Sequence, residues 1–431
     1  MRTLWHLVLL ILKSRTFHLI VAGFLVLNCT SDALSGIALR DRRIQAAVGN
    51  FGWGLTSWEA NALQEKFGAM IERPAAKLSD AEGAQLVEAY LDRANKIGDN
   101  QREINKLLSD NNEKTASERE SKIKTLQTEI DTLRGQQQQV RITVEAVIEG
   151  QISWAIENAG IDWQSYVLPP VQFTFTEPPK KLIVSPRDRI AIIYGQMIDA
   201  SMPLAKVEEL EATLKNQQNL SGYVTGIGGL GAYPTLVVDQ ASLYWILSTV
   251  AHEWTHNYLS FFPLGFNYGV NADIITMNET TAEIVGNELG RIALLRFYRD
   301  RINSEVYPDL PIKDEIPQHK PPEFDFRREM QETRKVVDQL LHYHRIGDAE
   351  TYMDARRMLF VENGYNLRVL NQAYFAFHGS YGTSAAVSFS DPITPRIFEL
   401  RKLSGSLYAF VKAIRGITTL EQLQQTVKST Q

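Results

Sequence analysis

Hydrophobic residues recur with different periods in different parts of the chain. In the polar stretch at 79–149, apolar residues alternate at steps of three and four, and Gln137 takes the single vacant position. The apolar positions are Ile123, Leu126, Ile130, Leu133, Val140, Val144 and Val147. Since such spacing places one apolar stripe along a helix, it predicts a coiled coil of about four heptads.

An earlier polar segment offers this helix a partner within the same chain. Its apolar positions are Leu86, Tyr90, Ile97, Ile104, Leu107 and Leu108. The cluster at 109–112 is rich in turn-forming residues, so we predict an antiparallel hairpin. Such an arm would bind a partner protein, pair with a second copy of the chain as a homodimer, or serve only as a spacer, and the pattern does not choose among these.

Between residues 166 and 239 the pattern changes to short runs of β-branched and aromatic residues bounded by prolines. The runs are 171–176, 181–184, 190–194 and 222–238. Runs of this length and composition predict strands. We therefore expect a small mixed sheet in this part of the chain.

The other apolar positions follow helical spacing. The runs at 243–262 and 274–297 predict two long helices, and short helices are expected at 41–77. The stretch at 307–326 carries five prolines, which predicts a surface connection. Further helices are predicted at 327–344, 349–363 and 367–378.

The first forty residues contain two apolar runs, 4–12 and 17–27. This pattern predicts a signal peptide or a single membrane anchor, and hence export of the rest of the chain. The second run is shorter than the roughly 20 residues of a spanning helix, so both alternatives stay open. Cys29 follows this run and is a candidate for lipid attachment, although Asn28 stands where a small residue is expected. An incidental cysteine is the alternative.

Composition argues against nucleic-acid binding and against a fold held by disulfides or by cysteine-bound zinc. The 431 residues include 45 Lys and Arg against 50 Asp and Glu, for a formal net charge of −5. This balance provides no basic surface, so we expect no nucleic-acid partner. One cysteine excludes an internal disulfide and argues against a cysteine-bound structural zinc.

The clearest chemistry lies at 249–258, which reads TVAHEWTHNY. His252 and His256 are four residues apart in a predicted helix, so they lie on one face about one turn apart. Two imidazoles in this arrangement can bind one zinc ion, and Glu253 can accept a proton from a water that zinc activates. No other charged residue interrupts the run, which indicates a buried helix. A core helix with two hydrogen-bonded histidines is the alternative.

With the Asn-Glu pair at 278–279, this pattern resembles the gluzincin metallopeptidases, which include the thermolysin-like and zinc-aminopeptidase families. In those families a His-Glu-x-x-His helix is followed by a helix whose Asn-Glu pair provides the third ligand. The resemblance implies that His252, His256 and Glu279 hold one catalytic Zn²⁺. It also implies that Glu253 is the general base.

Glu283 matches an aspartate that orients a ligand histidine in thermolysin-like enzymes. The interval from His256 to Glu279 is a few residues longer than in the familiar zinc aminopeptidases, which leaves Glu283 as an alternative third ligand. The chain lacks the Gly-Ala-Met-Glu-Asn stretch with which many of those enzymes hold a substrate amino terminus. The motif therefore does not imply exopeptidase activity.

In gluzincins, the strand before the zinc helix is a sheet edge that pairs with the substrate backbone. The run at 233–238 holds that place here, and the glycines before it would let a peptide approach closely. The substrate-binding candidates are Gly231, Ala232 and Tyr233. A phosphate-binding loop is the alternative, but no Gly-Lys-Ser or Gly-Lys-Thr ending follows.

Gluzincins also use a Tyr or His from the carboxyl-terminal helices to stabilise the oxyanion of the reaction. His378 and Tyr381 are the candidates here, because Gly379 and Gly382 place them on a turn after an aromatic helix. No local motif matches the families at these positions. The alternative is that the two side chains only cap a packed helix end.

These patterns predict an α+β fold, mainly α, with a gluzincin-like core and a small mixed sheet. The predicted parts are a signal or anchor at 1–40, a helical region with the hairpin at 41–150, the core at 151–305 and a helical region closing the cleft at 306–431. The implied function is zinc-dependent hydrolysis of peptide bonds in a peptide or protein substrate, outside the cytoplasm or at a membrane. The alternative is a membrane-associated coiled-coil scaffold with a structural or inactive zinc site.

Overall fold

The computed structural model describes residues 36–431 with short gaps. The gaps are 73–74, 76, 110–115, 163, 165, 231, 300–323, 382–383 and 389–390. The predicted signal or anchor, Cys29, Gly231, Gly382 and most of the predicted hairpin turn therefore lie outside the described residues. Within the described ranges, none of the helices has the length and apolar composition that crossing a bilayer requires.

The chain forms two compact units, Met1–Gly52 and Trp53–Gln431. In the first unit, helix α1 spans Gly36–Val48 and a 3-10 turn follows at Gly49–Phe51. The second unit begins with α2 (Leu55–Glu72) and contains the remaining helices and the sheets. Helices dominate the described residues, so the fold is α+β and mainly α, as predicted.

Helices α3 (Asp80–Ser109) and α4 (Ala116–Asn158) pack against each other as a hairpin. Ile97 and Ile104 of α3 are buried against Ile130 of α4. Other residues of the predicted seam are partly buried in the same cluster, namely Ile123, Leu126 and Leu133. The three- and four-residue spacing therefore marks the face along which the two helices meet.

The second half of α4 belongs to the main core of the unit, where Val144 and Ile148 are fully buried. Gln137, in the vacant seam position, donates to the Tyr90 carbonyl and to the Asp239 carboxylate, both at 3.3 Å. Helix α4 continues unbroken through residue 150. The hairpin and the core consequently share one rigid element.

Within the described ranges, six short strands form two three-stranded sheets. They are β1 (Phe173–Phe175), β2 (Lys180–Pro186), β3 (Tyr194–Ile198), β4 (Leu220–Gly226), β5 (Gly229–Leu230) and β6 (Thr235–Val237). One sheet is mixed, in the order β1-β6-β5, with β1 parallel and β5 antiparallel to β6. The other is antiparallel, in the order β3-β2-β4, and α5 (Leu204–Gln218) connects β3 to β4.

The strands thus form two sheets where the sequence predicts one. Of the predicted run at 190–194, only Tyr194 belongs to a strand. Ile190 and Ile192 pack instead into two apolar clusters with residues that follow position 324. A buried loop needs the same apolar residues as a buried strand, so the local pattern does not separate the two.

The expectation that 233–238 forms a sheet edge is wrong. Strand β6 is the middle strand, because β1 pairs with it on one side and β5 on the other. The edge strands of this sheet are therefore β1 and β5, and β5 is only two residues long. The pairing of β1 with β6 joins residues about sixty positions apart, which the local pattern cannot show.

Two long helices correspond to the predicted apolar segments, namely α6 (Leu243–Leu259) and α8 (Ala272–Phe297), with the short α7 (Pro263–Phe266) between them. Ser242 caps α6, and Asn271 caps α8, each by accepting a backbone N–H. Both are residue types that favour this position. The caps determine where each helix begins and hence which face each residue occupies.

Helices α6 and α8 approach closely at two glycines of α8. A Cβ atom at Gly286 would lie 2.7 Å from the Ser248 carbonyl oxygen, and one at Gly290 would lie 2.4 Å from the Ser248 hydroxyl. Any larger side chain would therefore separate the helices. This contact brings the first turns of α8 beside the second half of α6.

Six further helices follow in the part of the chain that the structure describes after residue 323. They are α9 (Phe326–His342), α10 (Ile346–Glu362), α11 (Gln372–His378), α12 (Thr394–Leu403), α13 (Leu407–Ile414) and α14 (Leu420–Thr430). Helix α11 packs on β2 and β4, whereas α12 and α13 pack on α8. The helix predicted at 367–378 begins only at Gln372, where the Asn371 side chain caps it. Helix α11 thereby ends above the sheet β3-β2-β4.

Candidate metal centre

The two histidines of α6 and the first glutamate of α8 converge. His252 Nε2 and His256 Nε2 lie 3.0 Å apart. Glu279 Oε2 lies 3.6 Å from the first nitrogen and 3.5 Å from the second. In a tetrahedral zinc site with bonds of about 2.0–2.1 Å, ligand atoms are roughly 3.3–3.4 Å apart. The three atoms therefore have nearly the mutual spacing of zinc ligands.

Hydrogen bonds orient the trio of His252, His256 and Glu279 so that its three ligand atoms face one another. His256 Nδ1 lies 2.6 Å from Asn278 Oδ1, so Nδ1 carries a proton and donates it, and Nε2 is the ring nitrogen that faces Glu279. The Tyr268 hydroxyl donates to Glu279 Oε1 at 2.6 Å. Each partner orients its ligand from the side away from the other two.

A metal ion would satisfy an atom that the protein leaves without a partner. Glu279 Oε2 is buried and accepts no hydrogen bond from any described residue. A buried carboxylate oxygen without a close hydrogen bond is rare in folded proteins. Two imidazole nitrogens and one carboxylate oxygen form a typical donor set for catalytic zinc. The residues present therefore fit one zinc ion.

Charges within the trio are strongly coupled. Burial would raise the pKa of Glu279, but His256 and His252 hold it well below its usual value. Burial lowers the pKa of His256, but the Glu279 carboxylate outweighs this and raises it to about 9. A metal that takes the His256 lone pair must therefore displace a proton.

Glu253 follows His252 on α6 and points into the same space. The side chain is 8% exposed, and burial raises the pKa of its carboxyl group. None of the described residues donates a hydrogen bond to this carboxylate, unlike that of Glu279. A Cβ at Gly229 would lie 2.6 Å from Glu253 Oε1, so only glycine leaves room there. Glu253 thus offers free lone pairs beside the trio.

A cleft of about 850 Å³ opens over these residues. One wall is the main chain at 226–230, which includes the edge strand β5. The opposite parts of the wall come from α6 and α8, and from the end of α11. Gly228 lies against the ring of Trp245, where a Cβ would be 2.4 Å from a ring carbon. The glycines before β6 therefore serve close packing at the cleft wall.

Two of the substrate-binding candidates lie away from this cleft. The Ala232 carbonyl accepts from the Asn257 amide at 3.1 Å, and the Tyr233 hydroxyl donates to the Pro170 carbonyl at 3.2 Å. Neither residue lines the cleft, and Gly231 is outside the described residues. Gly229 and Leu230 of β5 take their place, because β6 is enclosed by both neighbouring strands.

Both oxyanion candidates line the cleft. The Tyr381 ring lies 6.4 Å from the His252 ring, and its pKa is raised well above normal by burial and by Glu279 and Glu253. Its hydroxyl therefore stays protonated and able to donate. His378 Nε2 lies 3.4 Å from the Tyr223 hydroxyl, and burial lowers its pKa to about 4. His378 is consequently neutral near pH 7.

Glu283 lies one turn after Glu279 and also lines the cleft. The group of ligand atoms within 4.8 Å of one another contains Glu279 and not Glu283. Among the described residues, the geometry therefore favours Glu279 as the third ligand. That Glu283 orients a ligand histidine stays a prediction.

Sequence reasoning assigned no role to Tyr268, Asn278 or Lys181, all of which line the cleft. Asn278 could have been found from its place before Glu279. Tyr268 lies in the connection between α7 and α8, and Lys181 lies on a strand some seventy residues before the trio. No spacing rule links either of them to the histidines.

Comparisons with protein-family models, with curated proteins and with solved structures gave no match to this chain. Its chemistry must therefore be inferred from its own residues. These residues provide three converging ligand atoms and one buried carboxylate, that of Glu253, which is free to accept a proton. The Tyr381 hydroxyl and the neutral His378 ring can each donate a hydrogen bond. All of them lie in one cleft.

Proposed function

We propose that this protein is a zinc-dependent metallopeptidase of the gluzincin type. His252, His256 and Glu279 would hold one Zn²⁺, and Glu253 would be the general base. The observation that carries the proposal is the buried Glu279 Oε2, which accepts no hydrogen bond of normal length and lies 3.5–3.6 Å from both histidine nitrogens. A structural zinc site would have no need of a free carboxylate such as Glu253 in the same cleft.

A peptide or protein substrate fits the wall of the cleft. Strand β5 pairs with β6 on one side only, and its main chain lines the cleft on the other. An extended peptide can add to such an edge through main-chain hydrogen bonds.

The side chains divide the chemical work. Bound zinc would polarise the scissile carbonyl and acidify the attacking water. Glu253 accepts the proton of that water and passes it to the leaving amine. The Tyr381 hydroxyl donates a hydrogen bond to the oxygen that gains negative charge, and neutral His378 is the second candidate for this donor. Asn278 and Tyr268 keep His256 and Glu279 in place.

The decisive experiment measures zinc content and peptide cleavage on the same preparations. The full chain should bind about one zinc ion per molecule and cleave members of a peptide library. Glu279→Ala should lose the zinc, whereas Glu283→Ala on the same helix should only weaken its binding, by about 10- to 100-fold.

Glu253→Gln should retain zinc and lose cleavage by about 100- to 10,000-fold, because an amide cannot accept the proton. Elemental analysis and single-turnover assays provide the two readouts. Undiminished cleavage by Glu253→Gln would refute the mechanism. Absence of zinc from the parent, even after zinc is supplied, would favour the scaffold alternative.

A further inference from the structure

One lysine in the described lining of the cleft has no anionic partner among the described residues. Lys181 on β2 is the one lysine or arginine among the described residues that line this cleft. It forms no hydrogen bond and no ion pair with the described residues. Its Nζ lies 5.6 Å from the centroid of the Phe377 ring. This cation–π contact restrains the ammonium group but leaves its N–H donors unused.

Other lysines nearby are paired. Lys180, the preceding residue on β2, donates to the Met202 carbonyl at 2.7 Å. Lys66, which is 4% exposed, lies 2.8 Å from Glu145 and 2.7 Å from Glu149. The ammonium group of Lys181 is not one of the buried polar atoms without a partner, so it stays accessible to a group that enters the cleft. Lys181 is therefore suited to bind an anion that enters from outside.

The surroundings of Lys181 form one end of the cleft. In the antiparallel sheet Lys181 pairs with Met197 of β3, and paired residues present their side chains on the same face. Met197, Ile227 and Phe377 all line the cleft with it. Apolar walls weaken solvent screening, so an ion pair formed there is stronger than one at the surface.

A series of ring contacts links Lys181 to the histidines. The Phe377 ring beneath the ammonium group lies 5.8 Å from the Tyr381 ring, which lies 6.4 Å from the His252 ring. An anion bound by Lys181 would consequently lie close to the proposed scissile bond. Glu253 and Glu283 also line the cleft, and their carboxylates disfavour an acidic group beside them. Lys181 is the one Lys or Arg of the described lining that can pair with such a group.

We propose that Lys181 binds a carboxylate of the substrate and makes the enzyme selective for peptides with an acidic group beside the cleaved bond. This inference rests on the proposed peptidase function. The carboxylate could come from an Asp or Glu side chain or from the free carboxyl terminus of a peptide. Both present the same charge to the ammonium group.

Matched hexapeptides of alanine and leucine separate the two sources. One set carries a single Glu, Gln or Lys at each position with an amidated terminus, and the other carries no acidic residue and a free carboxyl terminus. The parent should favour a carboxylate over its neutral counterpart by about 10- to 100-fold in kcat/KM, the range for a hydrogen bond to a charged group. The set that shows this preference identifies the source.

Variants at Lys181 then test whether this residue causes the preference. Lys181→Met should abolish it while leaving cleavage of the neutral peptides within about twofold, and Lys181→Glu should shift it toward the lysine peptides. Lys180→Met removes the same charge from the opposite face of β2 and should leave the preference unchanged. An equal loss on acidic and neutral peptides in Lys181→Met would overturn the inference, since it would mean that Lys181 acts on the chemistry rather than on recognition.

A binding measurement keeps the inference separate from the proposed function. Calorimetry should show that the parent, the zinc-loaded Glu253→Gln variant and Lys180→Met bind the acidic peptide more tightly than its glutamine counterpart. Lys181→Met should lose that difference. Equal affinity of the parent and Lys181→Met for the acidic peptide would refute the role of Lys181, whether or not any peptide is cleaved. If Lys181→Met loses the binding preference for the acidic peptide but the parent cleaves no peptide, only the peptidase proposal is refuted.

Discussion

Two groups of buried charge in this protein differ in how their carboxylate oxygens are satisfied. Glu145 on α4 is fully buried, yet Lys66 Nζ donates to it at 2.8 Å, Arg141 at 2.9 Å and the Phe175 backbone N–H at 2.7 Å. Glu279 on α8 is almost as buried, at 6% exposure, but one of its oxygens has no donor. The two carboxylates are similarly buried, but the protein satisfies the hydrogen-bonding capacity of Glu145 more fully than that of Glu279.

The difference separates a structural site from a site prepared for a ligand. The Glu145 cluster ties α2, α4 and β1 together, and its donors all come from the chain itself. The Glu279 trio directs its free atoms toward a common point in an open cleft. Burial of charge alone does not indicate function, because ion pairs inside a fold are also buried. A buried ligand atom that the protein leaves without a hydrogen bond of normal length does indicate a binding site.

The strongest way to break this comparison is to remove the central cation of the structural cluster. Lys66→Met should lower the free energy of unfolding by about 3–5 kcal/mol, because Glu145 and Glu149 would stay buried beside each other without their shared partner. Chemical denaturation of the parent and the variant measures this. Lys96→Met is the matched control, since Lys96 and Glu129 form an exposed pair at 3.8 Å, for which we expect a loss of less than about 1 kcal/mol.

The same denaturation experiment applied to the trio should give a different result. In metal-free protein at about pH 10, where His256 is neutral, Glu279→Gln should lower the free energy of unfolding by only about 1 kcal/mol, because an amide oxygen still accepts from Tyr268. A loss as large as that of Lys66→Met would show that the trio is a structural cluster. The distinction between the two sites would then fail.

A smaller effect is expected at the residue that orients His256. Asn278→Ala removes the acceptor of the His256 Nδ1–H, so zinc affinity should fall by about 10- to 100-fold while the fold is retained. Competition with a chelator measures the affinity. Asn287→Ala, a residue of the same helix that lines the cleft away from the trio, should leave zinc affinity unchanged. Equal zinc binding by the parent and Asn278→Ala would remove Asn278 from the site.

The pH dependence of stability sharpens the comparison further. Burial lowers the pKa of Lys66, but Glu145 and Glu149 outweigh this and raise it above its usual 10.5. A base whose pKa is raised on folding stabilises the protein below its unfolded pKa and loses that contribution as the pH rises through the folded value. The difference in unfolding free energy between parent and Lys66→Met should therefore be constant up to about pH 10 and shrink above about pH 10.5. Denaturation curves at several pH values measure it, and a difference that shrinks below pH 9 would contradict the assignment.

Much of the helical framework follows from local patterns. The apolar run at 243–262 and the periodic segment at 274–297 predict α6 and α8 to within a few residues, and Ser242 and Asn271 provide the caps. The predicted helices at 327–344 and 349–363 likewise correspond to α9 and α10. Helical periodicity involves neighbours three and four positions apart, so a short stretch of sequence contains the full signal.

The strands were harder to predict for the same physical reason. Whether 233–238 is an edge depends on β1, which lies far away in the chain, and whether 190–194 is a strand depends on clusters built by later helices. For this reason the sequence predicted Ala232 and Tyr233 as substrate-binding residues, whereas Gly229 and Leu230 line the cleft in the structure. Pairing between strands is a long-range property that no local pattern contains.

The spacing of His252, Glu253 and His256 is a local property, and any helix over these residues puts the two imidazoles on one face. Their meeting with Glu279 depends on Gly286 and Gly290, which allow two helices to touch. The positions of Tyr268, Tyr381 and Lys181 around the trio depend on how three separate parts of the chain fold over it. Residues that act together within one helical turn can be recognised from the sequence, whereas those contributed by distant segments become neighbours only when the core is packed.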